Sequence, residues 1–240
     1  MALQHWLTPN LVSKEYYCPL GWPSFPSLET SLPAATAPPS PNATPLTAAT
    51  LPELCANDTA TLTSNIRTAS LLPETHTRFA FLPTYAQAAW HFGAEDFMAS
   101  KFFTSPPRTP SIKGAISPSG QTWGYWVHDF NEDKLVFLRL VSPESVAASA
   151  EEKERVLDIA EVLRAAQAEA ASWDLKKVVL WNPGPGTLAA CKLVVADGKE
   201  VEVRRRTEGS IPCLRWKGGH EGGEAEKGVE WVALEKYSWC

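Results

Sequence analysis

The strongest alternation of hydrophobic and polar positions lies between Gln121 and Asn182. Thr122 to Phe130, TWGYWVHDF, is rich in aromatics that suit a pleated, half-buried surface and predicts a strand. Asn131-Glu132-Asp133 is a polar turn. Lys134 to Val141, KLVFLRLV, is apolar except at Lys134 and Arg139, the pattern of a strand buried on both faces. Ser142-Pro143-Glu144 places proline at a first helical position, and Ser149 with Glu152 has capping-box spacing. From Ala150 to Ser172, Val156, Ile159, Ala160, Leu163, Ala166 and Ala170 recur at helical steps and form one apolar stripe. Asp174 closes that region, and Lys177 to Trp181, KVVLW, returns as a buried strand. Strand, helix and strand make a right-handed βαβ crossover, and the hairpin before it makes the sheet mixed.

Weaker patterns fill the rest. Thr50 with Glu53 has capping-box spacing and opens a helix through Leu54, Cys55, Leu62 and Ile66. RFAFL, Arg78 to Leu82, is a short strand. Thr84 with Gln87 repeats the capping box and opens a helix from Tyr85 to Phe102, with Ala86, Trp90, Gly93 and Phe97 on one face. Ile112 to Ile116 is a strand, turned by Pro118-Ser119-Gly120. A short helix spans Thr187 to Val194, and strands are expected at Val201–Arg205, Ile211–Trp216 and Val229–Leu234. Residues 217–228, KGGHEGGEAEKG, read as a loop. Residues 34–49 hold Pro, Ala, Thr and Ser without charge and read as a linker.

Composition narrows the function classes. The net charge of −5 comes without a basic stripe, which gives no support for nucleic-acid binding, and the Arg204–Arg206 triplet reads as a solvated edge. Five scattered cysteines without a CxxC pair argue against a disulfide framework or a zinc site and fit a reducing, cytoplasmic setting. The first residues lack the basic and apolar blocks of a secretory signal, and no apolar run approaches the roughly 20 residues of a membrane span.

Candidate chemistry is sparse. His91 and Glu95, four apart on a helix, share a face, but two ligands fall short of a metal site. His128 and Asp129 end a strand at a turn, where they either line a cleft on the substrate side or cap the hairpin. Asn182-Pro183-Gly184-Pro185-Gly186 joins a buried strand to a helix, a favoured place for anions. Its two prolines remove backbone donors, so it reads as a turn. GxSxG is absent, and no cysteine has a histidine near it in sequence.

Glu15 to Trp22, EYYCPLGW, resembles the late tyrosine signature of the GNAT acetyltransferases. With PSFPSLETSLPA, WHFGAEDF at Trp90–Phe97, LRL at Leu138–Leu140 and VEWVALEKYSWC at Val229–Cys240, the chain is similar to the fungal lysine N-acetyltransferase family over nearly its whole length. The resemblance implies an α/β (α+β) fold, a mixed β-sheet with flanking helices. It also implies acetyl-CoA and the side-chain amine of lysine as reactants in intact relatives. Tyr17 matches the tyrosine that acts there as general acid toward the departing thiolate. The family's glycine-bearing pyrophosphate loop precedes that motif, yet the fourteen residues before Glu15 contain no glycine. Leu140 to Ala150, where a second GNAT-like unit would bind phosphates, contains none either. The resemblance therefore implies a remnant of the N-terminal acetyltransferase domain at 1–33, a linker at 34–49 and a GNAT-like C-terminal domain at 50–240. Such a chain is a truncated family member that binds no acetyl-CoA and is inactive alone, or a noncatalytic interaction or regulatory module.

Overall fold

The computed structural model describes residues 18–35, 42–69, 77–143, 150–195, 201–207, 210–215 and 229–239. Strands β1 (Leu28–Pro33), β2 (Thr44–Leu46), β4 (Gly114–Ile116), β5 (Trp123–Asp129), β6 (Lys134–Val141), β7 (Lys177–Trp181) and β8 (Glu202–Arg205) form one mixed sheet, in the order β2-β4-β5-β6-β7-β1-β8. Its pairs are antiparallel except β6 with β7. Strand β3 (Thr77–Phe79) pairs in parallel with β9 (Val229–Trp231) in a separate ribbon. The helices are α1 (Leu51–Ala69), α2 (Tyr85–Phe102), α3 (Ala150–Ser172) and α4 (Pro185–Val194), with a 3-10 turn at Lys236–Ser238.

Two apolar clusters sandwich the sheet. Trp126, Leu135 and Phe137 pack with Ile159, Leu163 and Ala166 of α3 and with Ala190 and Cys191 of α4. Trp123, Tyr125 and Leu138 pack with Leu51 and Cys55 of α1, Ala88 and Phe92 of α2, and Tyr237. Neighbouring residues serve opposite clusters because strand side chains alternate. The α3 stripe is buried as its periodicity predicts, with Ile159, Ala160, Leu163, Ala166 and Ala170 at zero exposure and Val156 partly covered.

Other expectations change. Leu28–Pro33 form a strand inside the main sheet, between β7 and β8, so the sheet reaches upstream of the 34–49 segment. Within that segment Thr44–Leu46 are strand rather than loop. Pro45 is tolerated because β2 is an edge strand that pairs only with β4. Ile211–Arg215 is not a strand and contributes one bridge, Cys213 to Ser24, while Trp216 lies outside the described residues. The last strand stops at Trp231 because Ala233 takes φ 53° and turns the chain. The Arg triplet is not uniformly solvated. Arg204 pairs with Glu29, whereas the Arg206 side chain is covered, its guanidinium 3.2 Å from the centre of the Trp181 ring. Burial pushes the Arg206 guanidinium down to about 10. The 217–228 loop and the helix start at Glu144–Ser149 fall outside the described residues.

Helix α2 departs furthest from its pattern. Gln87 accepts from the Thr84 N–H at 3.3 Å, as the capping box requires. Its face of Ala86, Trp90, Gly93 and Phe97, however, points to solvent. The buried face is Ala88, His91, Phe92, Glu95 and Ala99.

Candidate functional site

Strands β6 and β7 are joined only at their beginnings, where Lys134–Val136 lie beside Lys177–Val179. Between Tyr125 and Trp126 the β5–β6 register slips by one residue, leaving Leu138 as an extra residue on β6. The slip gives Leu138 and Arg139 to the same side: Leu138 packs in the α1 cluster and Arg139 reaches Asp58 of α1. Past the slip, β6 and β7 share no rungs, and the ends of parallel strands are a favoured place for ligands.

The chain's own C-terminal segment bridges this opening. Glu235 accepts from the Leu140 N–H at 2.8 Å and from Arg139 Nη1 at 2.5 Å. The Arg139 fork also donates through Nε and Nη2 to the two Asp58 oxygens at 2.9 and 2.8 Å. Burial alone would lower the Arg139 pKa, but the charges of Glu235 and Asp58 hold it well above the usual arginine value. On the other side Asn182, at φ 49°, follows β7 and donates its side-chain amide to the Leu234 carbonyl. The Asn182 Oδ1 accepts from the Leu28 N–H at 2.7 Å, fixing this residue to β1 as well. Leu234 and Glu235 are thereby tied to both strands. Tyr237, 1% exposed, seals the segment. Its hydroxyl donates to the Phe81 carbonyl at 2.7 Å, and its own carbonyl accepts from His91 Nε2 at 3.2 Å.

A second polar centre lies in the core. Glu95 Oε1 accepts from the His128 backbone N–H at 2.7 Å and meets His128 Nδ1 at 2.5 Å. His128 Nε2 lies 3.1 Å from Glu169 Oε1, which also accepts from Trp173 Nε1 at 2.9 Å. Lys113 Nζ donates to Glu95 and, at 3.1 Å, to Asp96. Burial would lower the His128 pKa, but hydrogen bonds to Glu169 and Glu95 and their charges outweigh it and raise the value. These contacts tie α2, β5 and α3 together.

The sequence pairings therefore rearrange. Glu95 joins His128 rather than His91, which turns to Tyr237. Burial and the nearby Lys236 charge push His91 down to about 4. Asp129 caps the hairpin, accepting from the Asn131 and Glu132 N–H groups at 3.2 Å each. His128 is buried at 3% exposure with both ring nitrogens engaged. Tyr17 lies outside the described residues. Glu169 and Glu235 were not singled out by the sequence. Glu169 carries a signal: it stands three residues after Ala166 and four before Trp173, inside the apolar sector of α3. Among the described residues no cluster of three or more His, Cys, Asp or Glu could hold a metal ion, and no helix is long and apolar enough to cross a membrane. Burial pushes the Cys55 thiol up to about 11 and Cys191 up to about 12, so neither offers a thiolate near neutral pH.

A mixed β-sheet with flanking helices is the fold implied by the GNAT resemblance. The family described as the LYC1 GNAT-like C-terminal domain matches residues 27–240. The chain belongs to that family. No curated protein matches the sequence. Among solved structures, it is similar to a GCN5-related N-acetyltransferase from Sphaerobacter thermophilus, with 11% identity and a TM-score of 0.39. The alignment covers 87% of this chain and 59% of that one.

Within this GNAT-like C-terminal domain, the opening between β6 and β7 is bridged by Leu234 and Glu235. The Leu140 N–H is donated to Glu235.

Proposed function

We propose that this chain carries the noncatalytic C-terminal module of a fungal lysine N-acetyltransferase. In this reading, acetyl-CoA and lysine are handled by an acetyltransferase domain of which residues 1–26, upstream of the family match, are the trailing part. Tyr17 belongs to that part as its general acid. The module alone neither binds acetyl-CoA nor acetylates lysine. The observation that supports this reading is the Leu234–Glu235 bridge across the ends of β6 and β7. The bridge uses the chain's own groups where a ligand would otherwise pair with β6. His128 and Asp129 then serve structure rather than substrate, one as a buried junction and the other as a turn cap.

Calorimetric titration of the full chain with acetyl-CoA tests the proposal. The expected result is no measurable heat of binding at tens of micromolar protein. A dissociation constant in the low micromolar range, about −8 kcal/mol, would overturn it.

A further inference from the structure

Strand β8 ends the main sheet. Its inner edge pairs with β1, and among the described residues no strand pairs with its outer edge. The Arg206 N–H donates to the Ser27 carbonyl at 2.8 Å, and the Glu202 carbonyl accepts from Thr30 Oγ1 at 2.7 Å. Backbone groups alternate between the two sides of an antiparallel strand, so Glu202, Arg204 and Arg206 turn theirs toward β1. Val203 and Arg205, with Val201 before them, turn theirs outward. All four residues of β8 are exposed, Val203 at 42%.

An open edge is a template for another strand, and charge is a common way to blunt it. Charges of one sign repel a second copy of the same edge. On β8 the signs are mixed, Glu202-Val203-Arg204-Arg205, and their order decides what fits. A two-fold axis that joins two such edges antiparallel stands perpendicular to the sheet, so each face continues into the same face of the other copy. Centring the pair on Glu202 or on Arg204 sets like charges directly opposite each other, which is destabilising. Centring it on Val203 brings the two valines together and sets Glu202 of each copy opposite Arg204 of the other. The same register pairs the outward backbone groups, Val203 with Val203 and Val201 with Arg205, at hydrogen-bonding positions. Arg204 is already held on that face, because Glu29 accepts from its Nε at 3.1 Å and its Nη2 at 2.6 Å.

We propose that β8 is a homodimer edge, joining two copies of the chain by antiparallel pairing centred on Val203, so that their main sheets run on as one. The strand has only four residues, so the dimer is weak and its population follows protein concentration. The proposal does not depend on any binding of acetyl-CoA or on the role of the upstream residues.

Sedimentation equilibrium of the full chain, up to several hundred micromolar, is expected to show a monomer–dimer equilibrium. Val203→Pro deletes the outward N–H at the axis while leaving the bonds to β1, and is expected to return the chain to monomer. Glu202→Arg, an exposed substitution that the fold tolerates, sets arginines opposite each other and is expected to weaken the dimer by about tenfold or more. Val203→Cys reads the register. On mild oxidation the two introduced thiols are expected to join between copies, at the roughly 5.5 Å Cα spacing of a hydrogen-bonded pair. A chain that stays monomeric at every concentration would overturn the proposal. A dimer that survives Val203→Pro, that Glu202→Arg leaves unweakened, or that forms no disulfide through position 203 would place the contact elsewhere and overturn it as well.

Discussion

Helices α2 and α3 meet at the buried Glu95–His128–Glu169 junction yet follow opposite patterns. On α3 the apolar stripe faces the core, and charges such as Glu161 and Arg164 pair near the surface. On α2 the apolar row faces out, while His91 and Glu95 are buried at 8% and 4% exposure. Burial of apolar area holds α3, and neutralised buried charge helps to hold α2.

The comparison is sharpest in a pair of truncations. Glu95→Ala strips the counter-charge from Lys113 and His128 inside the core and is expected to destabilise by about 3–5 kcal/mol. Leu163→Ala removes apolar contact on α3 and is expected to destabilise by about 2–5 kcal/mol. Urea unfolding of both variants checks this, and a loss below 1 kcal/mol for Glu95→Ala would break the contrast.

The next effect depends on pH. The His91 pKa falls to about 4 in the fold, whereas an unfolded histidine titrates near 6.5. Its contribution is therefore complete above about 6.5 and is lost as pH falls toward 4. His128 acts in the opposite direction. Its raised value stabilises the fold fully below about 6.5, and that contribution is lost as pH rises through the folded value. His91→Gln, which keeps a donor for the Tyr237 carbonyl, is expected to relieve about 2–3 kcal/mol of the acid-side loss at pH 4.5. Comparing urea midpoints at pH 7 and 4.5 reads it. Equal acid sensitivity in the variant would place the titrating group elsewhere.

The smallest effect belongs to the surface charge of α3. Glu161→Ala removes a partly exposed i,i+3 pair with Arg164 and is expected to change stability by less than about 0.5 kcal/mol. A loss as large as that of Glu95→Ala would erase the distinction between the two helices.

Much of the fold was legible because its signals are local. The β5–β6 hairpin, α3 and β7 follow periods and turn residues contained within a few positions. The site was legible only in fragments. Arg139 stood out as the one charge inside an apolar strand, but its partners Asp58 and Glu235 lie 81 and 96 residues away. Nothing in VALEKYSWC indicates that Glu235 bonds the edge of β6 or that Tyr237 reaches Phe81. The same limit applies to α2. Periodicity identified Trp90 and Phe97 as sharing a face, but which face the sheet covers depends on Lys113, His128 and Glu169 from other elements.

The central claim is that Glu235 closes the opening between β6 and β7. Amide hydrogen exchange at Leu140, with and without acetyl-CoA, tests it most directly. The account predicts that this amide is protected in the free protein, loses protection in Glu235→Ala, and is unchanged when acetyl-CoA is added. Rapid exchange at Leu140 in the free protein, or new protection there on adding acetyl-CoA, would contradict it.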